Sequence, residues 1–231
     1  MKIFRFISLF IGLALAAPLA AQDDDVEYRV ELGAAAGMNF SLTDVNSKWY
    51  GNPQIAGGAI ARFLLNPRMT VKTALTYGKL SGSTNDIKNF YPVQPGQPGT
   101  ETLKFKADSD VYDLSAIYEL HFLPYGYVQG YQGYKRIVPY IQAGFGLSYG
   151  SAGKAFTANI PLGFGVKYKI APRLNLGLEW RMHLSLSDKL DNLEAPLGIK
   201  SSGFKNKDHY SFTLLSITYD LAPRCPNCNK D

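Results

Sequence analysis

Hydrophobic and polar residues alternate with a period of two along most of this chain, and the 3.6-residue period of an amphipathic helix is almost absent. The clearest segment begins at Leu174, where every even position up to Leu186 is apolar and the odd positions carry Asn, Gly, Glu, Arg, His and Ser. Successive side chains of a β-strand point to opposite faces. The pattern therefore predicts strands that have one entirely apolar face.

Further segments show the same alternation, so we predict eight strands in total. They cover residues 26–40, 54–65, 68–79, 111–122, 138–149, 160–170, 174–186 and 209–220. Asn66-Pro67 and Ala171-Pro172 each separate two neighbouring segments and predict tight reversals. The last segment changes phase near Leu214-Leu215, which predicts either a bulge or a register that differs by one residue.

The lengths of the connections give the topology. Those after strands 1, 3 and 7 (about 41–52, 80–108 and 187–208) are long and rich in Gly, Pro, Ser and Asn, whereas those after strands 2 and 6 have a few residues each. The fourth connection, about 123–137, is an exception to this alternation. Membrane barrels combine short periplasmic turns with longer outer loops, and strands of about 11–13 residues suffice to cross their apolar band of roughly 25 Å. We predict an all-β fold, an eight-stranded antiparallel up-and-down transmembrane β-barrel.

A soluble β-sandwich is the competing fold, since its strands also alternate. Its solvent face would carry many charges, but here the face opposite the apolar one is rich in Gly and Ala. Tyr and Phe also fall near strand ends on the apolar register, as the aromatic girdles of membrane barrels require. The composition agrees, because 46% of the 231 residues are hydrophobic and only 19% are charged, against about 25% charged in ordinary soluble domains.

The first 21 residues predict a cleaved signal peptide. Lys2 and Arg5 precede an apolar stretch that ends in small residues at 16–21. A retained membrane anchor is the alternative, but the apolar stretch is short. Cleavage before Gln22 takes the net charge from +5 to +5 − 2 = +3, and this weak, dispersed charge gives no support to a nucleic-acid partner. We predict the outer membrane of a Gram-negative cell as the location, with both termini in the periplasm.

Charged residues of both signs lie on the inward register of the predicted strands. They are Glu27, Arg29, Glu31, Arg62, Lys72, Asp113, Glu119, Lys167, Lys169, Glu179 and Arg181. An eight-stranded barrel is narrow enough to be filled by its own side chains, and a buried charge without a partner is costly. The pattern therefore predicts a lumen plugged by ion pairs and hydrogen bonds, in preference to a gated pore or solute path.

No catalytic, cofactor or metal site is predicted. Glu179, His183 and Ser185 share one strand face in a combination that a lipid hydrolase would use, but positions i and i+4 of a strand lie about 13 Å apart. His121 and His209 lie at strand ends without a Ser-containing motif beside them, and the three histidines lack metal-ligand spacing.

Cys225 and Cys228 form a Cys-x-x-Cys pair in a predicted periplasmic tail, residues 222–231, that follows the barrel at 22–221. Such a pair is a local disulfide, an attachment or shared metal site for a partner, or a redox pair. An oxidising periplasm favours the disulfide. The position beyond the last strand suits docking.

The fourth connection is the other candidate for contact with a periplasmic partner. Its sequence, FLPYGYVQGYQGYKR at 122–136, combines aromatic and basic residues of the kind enriched at interfaces. The candidate docking residues are Tyr125, Tyr127, Tyr131, Tyr134, Lys135 and Arg136. The alternative is a turn that packs under the floor of the barrel.

Four segments resemble a known family. Residues 64–82, 138–149, 160–194 and 209–221 are similar to the small outer-membrane barrels of Bacteroidota, the family that includes PorG of the type IX secretion machinery. The stretch from 160 to 194 is the most specific part. The resemblance implies an eight-stranded outer-membrane barrel with no known catalytic residues.

The expected function is therefore structural. We expect a non-enzymatic barrel, in contact with outer-membrane lipid, that anchors or organises a periplasmic or outer-membrane assembly by holding a periplasmic protein partner. The alternative is a surface binding or adhesion barrel, whose outer loops at 80–108 and 187–208 would carry the contacts.

Overall fold

The structure is a computed structural model that describes residues 28–42, 50–83, 106–127, 133–187, 190 and 207–223. Within these ranges the chain forms eight strands. They are β1 (Tyr28–Leu42), β2 (Gln54–Asn66), β3 (Met69–Ser83), β4 (Lys106–His121), β5 (Ile137–Gly150), β6 (Ala155–Ala171), β7 (Leu174–Ser185) and β8 (His209–Pro223). The predicted signal peptide and most of the predicted tail lie outside the described residues.

The strands form one closed barrel. Each strand pairs antiparallel with its neighbours in the sequence, and β1 pairs with β8 to close the sheet. The described residues contain no helix that is long and apolar enough to span a membrane. The prediction of an all-β, eight-stranded antiparallel barrel is confirmed.

The two ends of the barrel differ. The turn end carries the reversals at 67–68 and 172–173, the connection at 122–136, the beginning of β1 and the end of β8. The opposite end, here called the loop end, carries the connections at 43–53, 84–105, 151–154 and 186–208. The connection at 151–154 is short because β6 begins at Ala155, five residues before the predicted 160. The alternation of long and short connections therefore fails there.

The β3–β4 hairpin is longer than the sequence predicts. β3 continues to Ser83 and β4 begins at Lys106, whereas the β5–β6 turn contacts β4 at Ser109 and Asp110. At about 3.3 Å per residue, residues 106–108 extend the hairpin roughly 10 Å past that turn. This hairpin is thus a projecting feature of the loop end.

The register of β8 corrects a second expectation. The pairs of β8 with β1 and β7 run without a shift through Leu214-Leu215, so there is no bulge at this point of the strand. The apolar pattern changes phase because Tyr210, Phe212 and Leu214 all point into the lumen, where they are buried. The inner face is therefore apolar near the loop end, and apolarity alone does not mark the outer face there.

Large apolar side chains cover the outer face of the barrel. Leu75, Phe145 and Phe164 each expose more than half of their surface, and similar residues recur on all eight strands. A surface of this kind is suited to lipid and not to water. The barrel thus turns large apolar residues outward and buries charged groups in its lumen.

Candidate functional site

The turn-end half of the lumen is organised around Arg62. Its guanidinium lies 3.1 Å from Glu119 Oε2, 3.6 Å from Glu31 Oε2 and 3.8 Å from Glu179 Oε2. All four side chains are buried, with at most 1% of their surface exposed. One cation therefore bridges carboxylates from three other strands.

Two lysines complete the neutralisation of these carboxylates. Lys72 Nζ lies 2.7 Å from Glu179 Oε2 and 2.8 Å from Glu119 Oε1. Lys167 Nζ donates a hydrogen bond of 2.6 Å to Glu31 Oε1. We call these six residues, together with Arg181, the central network; Arg181 Nη1 lies 3.6 Å from Glu179 Oε1.

Uncharged groups supply further hydrogen bonds to the central network. Gln142 Oε1 accepts from Lys72 Nζ at 2.6 Å, and the Tyr140 hydroxyl donates to Glu179 Oε2 at 3.0 Å. Gly165 makes room for the tyrosine, because a Cβ at this position would lie 2.6 Å from the Tyr140 ring. Buried charges are tolerated when neighbours satisfy them in this way.

The strands bury equal numbers of lumen cations and carboxylates among the described residues. The five cations are Arg62, Lys72, Lys167, Lys169 and Arg181, and the five carboxylates are Glu31, Asp113, Glu119, Glu179 and Asp220. Lys169 pairs with Asp220 at 2.6 Å. The lumen is therefore balanced in charge as well as filled.

Most of the residues predicted to line the lumen are buried there, and one of them is exposed. Glu31, Lys72, Asp113, Glu119, Lys167, Glu179 and Arg181 lie buried in the lumen, where Asp113 contacts His183 and the others make ion pairs. Arg29 is a correction: it follows the inward register but stands one residue from the beginning of β1, so its side chain is exposed. Glu27 lies outside the described residues. The sequence did not predict that Asp220 lies in the lumen, because the apparent change of phase near Leu214-Leu215 left the inward-facing positions of β8 unassigned.

A second polar cluster lies nearer the loop end and is centred on Asp113. Its Oδ2 accepts hydrogen bonds from Asn159 Nδ2 at 2.7 Å and from the Tyr210 hydroxyl at 2.9 Å. Ser115 and Ser148 also donate to this carboxylate. The five residues come from β4, β5, β6 and β8, so the cluster ties half of the barrel together.

His183 belongs to this Asp113 cluster. Its Nδ1 lies 3.3 Å from Asp113 Oδ2, and its ring stacks on Tyr210 with the centroids 4.7 Å apart. The histidine is fully buried, and its Nδ1 also lies 3.0 Å from Asn159 Oδ1, so its polar partners are on β4 and β6 and do not include Glu179 of its own strand. In the described parts of the chain, no group of three or more His, Cys, Asp or Glu residues is arranged to hold a metal ion.

Leu190 closes the lumen at the loop end. Its side chain is fully buried, and its backbone N–H donates to Asp208 Oδ2 at 2.8 Å. It belongs to an apolar cluster with Ala35, Ala56, Ile60, Ala74, Leu80, Val111, Tyr210, Phe212 and Leu214. This apolar cluster lies beside the polar clusters and reaches the loop end of the lumen at Leu80, Val111 and Leu190.

Tyr125 closes the lumen at the turn end. Its ring lies over Lys167 Nζ at 4.3 Å and Lys169 Nζ at 5.2 Å, and its hydroxyl donates to Asn175 Oδ1 at 2.6 Å. Its backbone N–H donates to Pro67 O at 2.9 Å. Burial raises the pKa of the Tyr125 phenol well above its usual range, so the hydroxyl stays protonated as a donor. Tyr125 is therefore part of the floor of the barrel, which is the alternative that the sequence left open for this connection.

The other candidate docking residues take different places. The Arg136 guanidinium lies 4.7 Å from the Tyr127 ring centroid, so these two residues make a cation–π contact at the turn end. Tyr134 packs against Gly126, and Lys135 is exposed. Tyr131, Cys225 and Cys228 lie outside the described residues.

We expect the Tyr125→Phe substitution to destabilise the barrel by about 1 kcal/mol, because it removes one buried hydrogen bond and keeps the ring over the two lysines. Reversible urea unfolding of the barrel in lipid vesicles measures the difference. Tyr118→Phe is the matched control, since Tyr118 lies on the outer face with 40% of its surface exposed. Equal stability of the Tyr125→Phe variant and the wild type would show that the floor hydroxyl contributes nothing.

Comparisons with known proteins place the chain in a family. The family model described as "Outer membrane protein beta-barrel domain" matches residues 6–214. No curated protein matches the chain. Among solved structures, Neisserial surface protein A is 14% identical, with a TM-score of 0.49 over 86% of this chain and 100% of its own. Ail of Yersinia pestis, solved with the heparin analogue sucrose octasulfate, is 10% identical, with a TM-score of 0.45 over 85% of this chain and 99% of its own. With the family model matched along most of its length, this chain belongs to the outer membrane β-barrel family.

Proposed function

We propose that the protein is a non-conducting, non-enzymatic outer-membrane barrel that anchors or organises an assembly at the membrane, with its turn end in the periplasm. One observation carries the proposal: the lumen is filled by balanced charges and closed by Tyr125 at one end and Leu190 at the other. A filled and closed lumen offers no path for a solute, so function falls to the two ends of the barrel.

The turn end is the favoured contact surface for a periplasmic partner. Lys135 is exposed there, and the sequence places Tyr131 beside it in the same connection and the Cys225–Cys228 pair just after β8. The resemblance to the family that includes PorG supports a place in a secretion-type assembly, for which type IX secretion is the nearest example.

The second candidate is binding at the cell surface, and the projecting β3–β4 hairpin favours it. Lys79 and Asp108 form an ion pair of 2.7 Å on this hairpin, and the Tyr77 hydroxyl donates to Asp110 at 2.9 Å. These contacts stiffen the base of a loop that would reach away from the membrane.

We expect the purified full chain to show no stepwise conductance in planar lipid bilayers. The physical reason is that an ion would have to displace buried, paired charges that fill the lumen. A general porin inserted under the same conditions is the positive control. Reproducible single-channel steps from the pure barrel would contradict the non-conducting function.

A co-purification experiment separates the two candidate functions. The tagged full chain is extracted from cells in mild detergent, beside a variant with residues 128–132 replaced by Gly and Ser, Lys135→Gln, Cys225→Ser and Cys228→Ser. This variant keeps the floor residue Tyr125. The matched control replaces residues 88–98 of the loop-end hairpin. Loss of a bound protein only in the first variant supports the periplasmic assembly, whereas loss only in the control supports the surface candidate.

A further inference from the structure

Among the described residues, the exposed charged side chains of the loop end have both signs, whereas those of the turn end have one. At the turn end, each exposed or half-exposed charged side chain among the described residues is a cation. These are Arg29, Arg68, Lys135, Arg136 and Arg173. The carboxylates of this half, Glu31, Glu119, Glu179 and Asp220, are buried and paired inside the lumen. We call the five cations the turn-end rim.

Two arginines of the rim are held in the same way, by two tyrosine rings and a backbone carbonyl. The Arg173 guanidinium lies 5.1 Å from the Tyr28 ring centroid and 4.9 Å from that of Tyr219. Its Nε donates to Asp220 O at 3.3 Å, which is its one hydrogen bond within the described residues. Both Nη groups therefore keep their donors available for an acceptor that is not part of this chain's described structure.

Arg136 has a similar environment beside the end of β6, near the turn that carries Arg173. Its guanidinium lies between the rings of Tyr127 and Tyr168, at 4.7 Å and 5.4 Å. Its Nε donates to Lys169 O at 3.0 Å, and its Nη2 donates to Ile170 O at 2.8 Å. Aromatic contact and backbone hydrogen bonds fix the guanidinium plane before any ligand binds, which lowers the entropic cost of binding.

The apolar outer face begins directly beside these arginines. Tyr168 and Ile170 on β6 and Ile137 on β5 are exposed, and Arg136 contacts the first two. Interfacial tyrosines mark the level of lipid headgroups in membrane proteins. The rim cations therefore lie where the phosphates of a bilayer leaflet meet the barrel.

We propose that the turn-end rim binds the phosphate headgroups of anionic phospholipids, with Arg136 and Arg173 as its two phosphate ligands. The planar guanidinium donates paired hydrogen bonds to phosphate oxygens, a geometry that lysine lacks. Anionic lipid is the occupant that matches both features of the rim, the exposed positive charge and the adjoining apolar belt. The interaction is separate from protein docking and does not depend on it.

Lipid titration of the purified full chain in native mass spectrometry tests the proposal. The probes are phosphatidylglycerol, phosphatidylcholine with the same acyl chains, and inorganic phosphate. The variants are Arg136→Gln/Arg173→Gln, the charge-conserving Arg136→Lys/Arg173→Lys, and Lys79→Gln/Lys106→Gln as a loop-end control that removes the same number of cations. Heat-modifiable electrophoretic mobility shows that each variant is folded.

We expect phosphatidylglycerol to bind the wild type more tightly than phosphatidylcholine does. A basic side chain near an anionic surface contributes roughly 1 kcal/mol, about fivefold in affinity, so the double Gln variant should bind phosphatidylglycerol about 30-fold more weakly. The Arg136→Lys/Arg173→Lys variant should bind phosphatidylglycerol with an affinity between those of the wild type and the double Gln variant. The loop-end control should bind it as tightly as the wild type does. If the double Gln variant does not fold, Arg136→Gln and Arg173→Gln singly carry the test, at about fivefold each.

Three results would overturn the proposal. The first is equal phosphatidylglycerol binding by the wild type and the Gln variants, or an equal loss in the loop-end control. The second is competition by inorganic phosphate at the same concentration as the lipid, which would indicate a site for the free ion. The third is lipid binding that appears only after deletion of residues 22–27, which would show that Asp23, Asp24, Asp25 and Glu27 occupy the rim instead.

Discussion

Replacement of Arg62 by Leu is expected to lower the free energy of unfolding by about 3–5 kcal/mol, because it leaves buried carboxylates short of a cation. Arg62 lies within 4 Å of Glu31, Glu119 and Glu179, and its side chain is only 1% exposed. Lys72, Lys167 and Arg181 remain after the substitution, but Glu119 loses its guanidinium hydrogen bonds, and Glu31 and Glu179 each lose a cation within 4 Å. Urea unfolding of the refolded barrel in lipid vesicles measures the change.

Arg29→Leu is the matched control for this substitution. Arg29 lies on the same inward register, but its side chain is exposed at the beginning of β1, so we expect stability to stay within the error of the measurement. A second variant, Arg62→Leu with Glu119→Gln, should recover part of the lost stability, because it removes the buried carboxylate charge that lay nearest to the missing guanidinium. Equal stability of Arg62→Leu and Arg29→Leu would refute the central role of Arg62.

The alternation of apolar and polar residues is sufficient to predict that eight strands form and, outside β8, the side of the sheet that most residues of a strand face. The side chains of a strand alternate between its two faces. Once one face is known to be apolar, the odd or even position of Lys72, Glu119 or Glu179 along its strand therefore places it in the lumen. This alternation does not show where a strand ends. For this reason it wrongly predicts a lumen position for Arg29, which is exposed at the beginning of β1.

Pairing inside the lumen could not be predicted from the sequence. Lys167 and Glu31 are 136 residues apart, and their contact depends on how far the strands are staggered when the barrel closes. The same holds for Asp113 and His183, which lie on strands that are not neighbours in the sheet. The sequence predicted a network of ion pairs but not its partners.

The fourth connection, residues 122–136, shows a second limit to prediction from local sequence. A tyrosine-rich segment with basic residues is typical of an interface, and the same composition serves for a plug. Tyr125 turns into the lumen because Lys167 and Lys169 present two cations to the face of its ring. Only the three-dimensional position of these lysines distinguishes the floor from a docking surface, and local sequence does not contain it.

Asp113→Leu is expected to lower the free energy of unfolding by about 3–4 kcal/mol, because it leaves several buried donors without an acceptor. Asn159, Tyr210, Ser115 and Ser148 all donate to this carboxylate. Each unsatisfied buried donor costs roughly 1–3 kcal/mol, and the costs in one cluster are less than additive because the donors can pair with one another.

Two variants show whether the loss on Asp113→Leu comes from the buried cluster. Asp113→Asn keeps one acceptor oxygen and the shape of the side chain, so we expect about half of the loss. Asp108→Leu is the control on the same strand: Asp108 is 49% exposed and pairs only at the surface, with Lys79, so stability should not change measurably. If Asp113→Leu unfolds at the same urea concentration as Asp108→Leu, the five donors and acceptors seen together in the lumen do not hold the loop-end half of the barrel. If it unfolds well before Asp108→Leu and Asp113→Asn lies between them, the acceptor at position 113 is what joins β4 to β5, β6 and β8.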